Sequence, residues 1–207
     1  MNEPQHISKI IGPALLTAIK ARSTKEKRLN TPELAKLLEF NLLDDPKLVS
    51  MVDATFDFIE DAEQQPLQPR WLSFCGNSGI GKTHLAVRAF NRLKVQFSWH
   101  SSLLCGSHQY TWPRLLPKLR DGAYWLVDDI RDANLLLLDD IGADKPTEFA
   151  LEKLYEIIEA RTRKWTIFTC NLSVAQIAER MDTRIASRLI RDGSVVLDVD
   201  APDYNNR

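Results

Sequence analysis

The chain has 207 residues, enough for one ordinary domain with a small appendage, and its contents of 44% hydrophobic and 27% charged residues are typical of a globular protein. A net charge of −1 excludes a generally basic surface that would coat nucleic acid, but not a local basic groove. No apolar run approaches the roughly 18 residues of a membrane-spanning helix, and the first residues lack the basic and apolar segments of a secretory signal. The sequence therefore predicts a cytoplasmic protein without a membrane segment.

Three cysteines are present, an odd number, and their spacing is not that of a metal site. We interpret Cys75, Cys105 and Cys170 as free thiols that pack as small buried residues in a reducing compartment. The four histidines form no cluster with cysteines or carboxylates along the chain. We therefore expect no metal site built from protein ligands alone.

Residues 1–44 are predicted to form a small helical segment that differs from the rest of the chain. Two short amphipathic patterns cover residues 10–19 and 32–40, and a basic cluster at 20–28 separates them. Thr31, which precedes a proline, is typical of a helix N-cap. The basic cluster is either a solvated helix face or linker, or a binding surface. The segment as a whole is a candidate for binding a partner.

Residues 45–207 alternate between helical and strand patterns. Five short apolar segments are predicted strands: 70–75, 95–99, 134–138, 165–170 and 194–199. Helical patterns cover 49–59, 85–93, the surroundings of Leu115, 126–130, 148–158 after a Thr147 N-cap, and 174–181. The uninterrupted apolar run at 134–138 suits a parallel strand covered on both faces. The sequence therefore predicts one three-layer α/β domain around a mainly parallel, five-stranded sheet.

The string GNSGIGKT lies between a predicted strand and a predicted helix, and it matches the phosphate-loop pattern G-x-x-x-x-G-K-[ST] in full. Glycines let backbone N–H groups surround a phosphate, and the helix N-terminus adds partial positive charge. Lys82 is expected to neutralise the β- and γ-phosphates of ATP, and the Thr83 hydroxyl to bind Mg²⁺. The residues predicted to bind ATP are Gly76, Asn77, Ser78, Gly79, Ile80, Gly81, Lys82, Thr83 and His84. A lone histidine such as His84 is more often packed than catalytic.

Two acids, Asp139 and Asp140, end the apolar run at 134–138. At the carboxyl end of a buried strand beside a phosphate loop, Asp139 is placed to hold Mg²⁺ directly or through water, and Asp140 to polarise the attacking water. The alternative is that the pair merely ends a strand and begins a turn. A second acid pair, Asp128 and Asp129, follows no comparable strand and is interpreted as helix surface.

Asn171 directly follows the predicted strand at 165–170. A polar side chain at that place is expected to reach the γ-phosphate or the attacking water; alternatively, Asn171 is a turn residue that opens the next helix. In the stretch YTWPRLLPKL, aromatic and basic residues mix as they do in surfaces that stack single-stranded bases. Tyr110 and Trp112 are equally compatible with core positions.

Arg184 and Arg188 lie four residues apart in the stretch TRIASRLIRDG and therefore share one face of a helix. Taken alone, this spacing is most simply explained by a solvated helix surface. In chain order, however, GKTHLA, LLLLDDIGA, the strand before Asn171 and RIASRL together resemble the DnaC/IstB-like AAA+ ATPases, the helicase loaders and transposition helper ATPases of bacteria and phages. The resemblance extends from about residue 71 to the C-terminal end.

The resemblance implies a function for each of these residues. It implies that Asp139 and Asp140 are the Walker B pair and that Asn171 is sensor 1, on a strand between the phosphate-loop strand and the acidic strand. It also implies that Arg188, with Arg184 as its neighbour, is the arginine finger that reaches the γ-phosphate bound by an adjacent subunit. The protein is therefore expected to self-associate, at least while ATP is bound.

Two features set the chain apart from many AAA+ proteins. Many members of the family have Asp-Glu where this chain has Asp139 and Asp140, so hydrolysis is expected to be slow. Only 19 residues follow Arg188, whereas a three-helix lid needs more than about 30. The C-terminal lid is therefore expected to be absent, as it is in the DnaC/IstB-like group.

Together with this resemblance, the sequence predicts an ATPase that uses ATP and Mg²⁺; the resemblance implies that it helps load a replicative DNA helicase onto single-stranded DNA, with hydrolysis stimulated by DNA or assembly. One alternative is an IstB-like transposition helper that binds duplex DNA and a transposase. Another is a nucleotide-dependent adaptor with little turnover. A small-molecule kinase is less well supported, because the sequence shows neither a lid arginine cluster nor an acceptor pocket.

Overall fold

A computed structural model of the chain describes residues 30–42, 45–98, 106–143, 146–190 and 194–201. These residues form five strands and eight helices. The strands are β1 (Trp71–Cys75), β2 (Ser107–Thr111), β3 (Leu135–Ile141), β4 (Trp165–Cys170) and β5 (Val195–Asp198). The helices are α1 (Thr31–Leu37), α2 (Pro46–Gln64), α3 (Lys82–Ser98), α4 (Trp112–Arg120), α5 (Trp125–Asp132), α6 (Glu148–Ala160), α7 (Val174–Arg180) and α8 (Thr183–Leu189).

The five strands form one sheet in the order β2-β3-β4-β1-β5, and every neighbouring pair is parallel. β4 therefore lies between β1, which leads into the phosphate loop, and β3, which carries the acid pair near its carboxyl end. This is the strand order that the family resemblance implied. Because all strands are parallel, their carboxyl ends meet at one edge of the sheet, where ligands bind in open α/β folds.

The predicted three-layer architecture is confirmed, and β3 shows how the layers arise. Its leucines alternate between two faces: Leu135 and Leu137 pack in one hydrophobic cluster, and Leu136 and Leu138 in another. The first cluster contains the buried faces of α1, α2 and α3. The second contains those of the remaining described helices, α4 to α8. The uninterrupted apolar run is thus explained by burial of the strand on both faces.

One predicted strand is wrong. Residues 95–98 form the last turn of α3, and Trp99 lies outside the described residues. The helix continues through this segment because a helix places Leu93 and Phe97, four residues apart, on one buried face. The fifth strand is instead β2, whose residues Ser107–Thr111 are half-buried or exposed. This edge strand has no apolar alternation that would mark it.

The N-terminal helix begins as predicted to within one residue. The N-cap of α1 is Asn30, not Thr31: the Asn30 side chain accepts from the Glu33 amide, and the Glu33 carboxylate accepts from the Asn30 amide. The Thr31 hydroxyl instead donates to Asp53 of α2 at 3.0 Å. The division at residue 45 stays a prediction, as does the pattern at 10–19, which lies outside the described residues together with the cluster at 20–28.

A buried arginine joins the amino-terminal side of the sheet to its helices. Arg161 is 0% exposed and follows α6. Its guanidinium donates to the carbonyls of Ile130 and Trp165 at 2.8 and 2.7 Å, to the carbonyl of Ala133, and to the Thr166 hydroxyl at 3.1 Å. These acceptors lie at the end of α5 and the start of β4. One side chain therefore supplies donors to several buried backbone carbonyls at this side of the sheet.

Within the described residues, no helix combines the length and the apolar character needed to cross a bilayer. No group of three or more histidine, cysteine or acidic residues among them is arranged to hold a metal ion.

Candidate active site

The phosphate loop joins β1 to α3 and closes against the segment that follows β5. Gly76 has φ +114°, and a Cβ there would lie 1.8 Å from the Val199 carbonyl oxygen. The Val199 amide donates to the carbonyl of Cys75 at 3.0 Å, which fixes this close approach. Gly76 is therefore required both by its left-handed backbone and by the adjacent chain.

The Lys82 side chain is 5% exposed and points back into the loop. Its Nζ donates to the carbonyl of Gly76 at 2.9 Å and to that of Asn77. Burial lowers the pKa of Lys82, because desolvation disfavours the charged ammonium, and the nearby carboxylates of Asp139 and Asp140 partly oppose this effect. The loop thus holds one desolvated cation at its centre.

Asp139 and Thr83 meet at the carboxyl edge of the sheet. The Thr83 hydroxyl donates to Asp139 Oδ1 at 2.8 Å, and the Thr169 hydroxyl of β4 donates to the same oxygen at 2.6 Å. Asp139 is 5% exposed. A carboxylate beside a hydroxyl oxygen fits the oxygen ligands that Mg²⁺ prefers, so Thr83 and Asp139 are the residues that would hold this ion.

Asp140 occupies an irregularity at the end of β3. The pairing of β3 with β4 shifts register between Leu138 and Ile141, and Asp140 adopts φ +63°, which is uncommon for a residue with a Cβ. Its amide donates to the Thr169 hydroxyl at 2.8 Å, and its Oδ1 accepts from Asn171 Nδ2. The strained backbone turns the carboxylate toward the end of the neighbouring strand, a conformation typical of functional sites.

Thr169 is a site residue that sequence analysis missed. Its hydroxyl donates to Asp139 and accepts from the Asp140 amide, so a single side chain joins the two acids to β4. The signal was present in the sequence: Thr169 lies two residues before Asn171, and alternate residues of a strand share one face.

Residues of the phosphate loop and Asn171 line one pocket. Its lining consists of Glu39, Phe40, Gly79, Gly81, Lys82, Thr83, His84 and Asn171. The first two belong to the segment after α1, and sequence analysis did not assign them to the site. Gly81 has φ +91°, and a Cβ there would lie 2.4 Å from the Phe40 ring. Glu39 and Phe40 therefore form one wall of the pocket.

The other predicted phosphate-loop residues occupy different places. Asn77 Oδ1 accepts from the Ala201 amide at 3.1 Å, and Asn77 Nδ2 donates to the Ala201 carbonyl, so this side chain bonds to the segment after β5. Ser78 is exposed and Ile80 is buried. His84 Nε2 donates to the Leu38 carbonyl at 2.8 Å and thereby ties α3 to the N-terminal segment.

Arg184 and Arg188 share a face of α8, which packs on α6 and α7. The Arg184 guanidinium bonds to the Asp182 carboxylate at 2.7 Å, and this hydrogen bond lowers the pKa of Asp182. The Arg188 Nε donates to Glu159 of α6, which raises the pKa of Arg188. Among the residues that the structure describes, neither arginine lines the pocket.

The exposure of the aromatic residues and of Asp128 shows which of them lie in the core and which at the surface. Trp112 is buried and Tyr110 half-buried, whereas the neighbouring Tyr124 and Trp125 are 53% and 62% exposed. The exposed aromatic pair therefore lies after the aromatic–basic stretch, at the start of α5, and not within it. Asp128 is exposed on α5, as predicted, and bonds to Arg131.

Cys75 and Cys170 are buried free thiols, as predicted. Burial raises the pKa of Cys75 to about 12 and that of Cys170 to about 11, so both remain protonated at neutral pH. Cys105 lies outside the described residues.

The parallel sheet, the loop between β1 and α3 and the acids near the carboxyl end of β3 are those of the P-loop NTPase fold of the AAA+ type. No protein-family model matches the sequence. Among solved structures, the chain is similar to the DnaC helicase loader, with 22% identity, a TM-score of 0.59, and a match that covers 72% of this chain and 90% of that one. For DnaI the identity is 21% and the TM-score 0.60, and the match covers 75% and 86%.

A third similar structure is the replication initiator DnaA bound to AMPPCP and single-stranded DNA. The identity is 18% and the TM-score 0.55, and the match covers 71% of this chain and 46% of that one. At these identities the comparisons establish the fold. The resemblance to DnaC-like AAA+ ATPases is therefore confirmed at the level of the fold.

Proposed function

We propose that this chain is an AAA+ ATPase that helps load a replicative DNA helicase onto single-stranded DNA. The ATPase assignment is supported by one observation: the Lys82 ammonium, two aspartate carboxylates and the Asn171 amide lie together at the carboxyl edge of the sheet. Lys82 and Asn171 line one pocket, and Asn171 bonds directly to Asp140. The DnaA structure with bound AMPPCP, a nucleotide analogue, supports the same site on the same fold.

The phosphate-binding step follows from the contacts of Lys82. Its Nζ now donates to two loop carbonyls, and a bound triphosphate would replace these acceptors with β- and γ-phosphate oxygens. The low exposure of Lys82 strengthens that charge–charge attraction. Thr83 and Asp139 would hold Mg²⁺, which would neutralise charge on the phosphate oxygens.

The hydrolytic step is assigned to Asp140 and Asn171. Because Asn171 bonds to Asp140 Oδ1, the other carboxylate oxygen is left to accept a hydrogen bond from the attacking water. Asn171 holds that carboxylate in place through its amide. An aspartate reaches less far than the glutamate common at this position, so turnover is expected to be slow.

Self-association is proposed from the position of the arginines. Arg188 and Arg184 lie on α8 and are not among the described residues that line the pocket of their own subunit. An arginine that reaches the γ-phosphate would therefore come from an adjacent subunit and stabilise the charge that develops there. Of the two, Arg188 is the proposed finger.

The helicase and single-stranded DNA are proposed as partners on two supports. The fold matches most of the length of the DnaC helicase loader and of DnaI, and the similar DnaA structure contains single-stranded DNA. The exposed Tyr124 and Trp125 are suited to stack on unpaired bases, and Lys153 lies 5.2 Å from the Tyr124 ring centroid. The N-terminal segment is the proposed helicase-binding part.

The ATPase assignment is tested by Lys82→Ala. We expect this variant to lose tight ATP binding in calorimetry while its melting temperature stays near that of the parent. Asn91→Ala, an exposed change on the same helix, is the control. Micromolar ATP binding by Lys82→Ala would refute the phosphate-loop assignment.

The client is tested by co-purification with the replicative helicase of the same host, with and without ATP. We expect ATP-dependent capture of the helicase and a preference for single-stranded over duplex DNA at fixed salt. A duplex preference without helicase capture would support the transposition-helper alternative instead. ATP binding with no turnover, even with single-stranded DNA, would support the adaptor.

A further inference from the structure

Arg188 is held by two side chains of α6. Its Nε donates to the Glu159 carboxylate, and its Nη2 donates to the Tyr155 hydroxyl at 3.4 Å. The guanidinium carbon also lies 6.0 Å from the centroid of the Tyr155 ring. Tyr155 and Glu159 are four residues apart on α6 and therefore share one face. Glu159 and the Tyr155 hydroxyl thus bond to one edge of the Arg188 guanidinium, and the Tyr155 ring lies near the guanidinium carbon.

The environment of Arg184 is different. Its carboxylate partner is Asp182, the N-cap residue of α8, so this ion pair is local to one helix. Arg184 is exposed, and its guanidinium carbon lies 4.7 Å from the Tyr155 ring centroid. The orientation of Arg184 therefore depends on contacts within α8 and on a ring face. That of Arg188 is set by a carboxylate on another helix.

α6 is a rigid support for such a contact. It follows β3 in the chain, and its Leu154, Ile157 and Ile158 are 0% exposed. Glu159 comes directly after this buried row, so its backbone moves with the core and not with the surface. A side chain anchored there is fixed relative to the sheet.

The contacts of Arg188 leave part of the guanidinium available. Among the described residues, no acceptor is bonded to Nη1, and the side chain is 31% exposed. A planar guanidinium that is bonded along one edge directs its other N–H groups away from that edge. The anchored edge faces α6, and the N–H groups of Nη1 are left without an acceptor among the described residues.

We propose that Glu159, supported by Tyr155, is the positioning residue that orients Arg188 toward the γ-phosphate of an adjacent subunit. The inference rests on the proposed function, in which Arg188 acts in trans. A free arginine side chain must lose many rotamers when it binds a phosphate, and an ion pair within the subunit removes part of that loss in advance. The consequence should appear in turnover and not in the ATP affinity of the subunit's own pocket.

The test is steady-state ATP hydrolysis as a function of protein concentration for the full chain. Glu159→Ala is expected to lower kcat about three- to tenfold at assembling concentrations, with KM for ATP within about twofold of the parent. Glu159→Gln keeps an acceptor oxygen and is expected to recover part of the loss. Glu152→Ala removes an exposed carboxylate of α6 two turns away and is the matched control.

A double-mutant cycle separates positioning from a general structural effect. In the Arg188→Ala background, Glu159→Ala is expected to have no further effect on kcat. An equal loss in both backgrounds would overturn the inference, as would a Glu159→Ala variant that hydrolyses ATP at the parental rate or faster. A faster variant would mean that Glu159 competes with the phosphate for Arg188.

The two proposals fail in different ways. If Arg188→Ala keeps the parental kcat at assembling concentrations, the trans role of Arg188 is wrong, and the positioning role of Glu159 fails with it. If Arg188→Ala loses activity while Glu159→Ala does not, the ATPase assignment stands and only the inference about Glu159 is refuted. Melting temperatures of all variants confirm that each one is folded.

Discussion

Thr169 offers a sharp test of how the two acids are held. Replacing it by valine keeps the shape of the side chain but removes the hydroxyl, which donates to Asp139 at 2.6 Å and accepts from the Asp140 amide at 2.8 Å. Thr169 is 1% exposed, so bulk water does not easily supply a substitute. The Asp140 amide would be left without that acceptor, and Asp139 would lose one of its two hydroxyl donors.

The magnitude follows from these two contacts. A hydrogen bond to a charged group contributes about 1.5–3 kcal/mol, and a buried amide without a partner costs about 1–3 kcal/mol. Because such contributions are not additive, we expect Thr169→Val to lower the free energy of unfolding by about 2–4 kcal/mol. With an m value of about 3 kcal/mol per M, the urea midpoint would fall by about 1 M.

Urea unfolding followed by circular dichroism measures this effect, and Thr169→Ser is the control. Serine keeps the hydroxyl and loses only one methyl group, which costs about 1 kcal/mol in a core. Valine should therefore be clearly less stable than serine at this position. A valine variant that is as stable as the serine variant would refute the assignment of Thr169 as the link between the acids.

Three further predictions follow from other contacts. Gly76→Ala should lower the free energy of unfolding by at least about 2 kcal/mol, because the new Cβ would meet Val199. Gly122→Ala, at φ +92° with nothing within 4 Å of the new Cβ, should lower it by only about 1 kcal/mol. Equal losses in chemical unfolding would contradict this prediction. Trp125→Ala should weaken single-stranded DNA binding about tenfold in anisotropy at fixed salt, and unchanged affinity would remove this residue from the DNA surface. Arg161→Met should lower the free energy of unfolding by more than about 3 kcal/mol, since several buried acceptors lose their donor; a loss under about 1 kcal/mol would contradict that role.

The parts of the site that could be predicted are those encoded locally. The phosphate loop is contiguous, the apolar run of β3 leads directly into Asp139 and Asp140, and Asn171 directly follows the mainly apolar β4. For such segments the chain itself contains both the strand and its functional end. Lys82, Asp140 and Asn171 could therefore be assigned to one place without a structure.

The parts that escaped prediction depend on contacts between distant segments. Phe40 enters the pocket because Gly81 has no side chain, a contact that spans 41 positions and leaves no local pattern. β2 is polar on both faces and becomes a strand only by pairing with β3. The prediction of a strand at 95–99 was wrong for the opposite reason: the local composition favours a strand, but packing of the buried face of α3 makes residues 95–98 helical.

The charges at the site give a reason for assembly. Of the described residues that line the pocket, Lys82 is the one cation, and Glu39, the other charged residue of the lining, is paired with Arg88. Asp139 and Asp140 lie at the same edge of the sheet and carry negative charge. ATP is itself a polyanion, so one buried lysine beside two carboxylates cannot balance its charge. Mg²⁺ would supply part of the missing charge, and in the proposed function an arginine from an adjacent subunit would supply the rest. Hydrolysis by such a site should therefore rise more steeply than linearly with protein concentration.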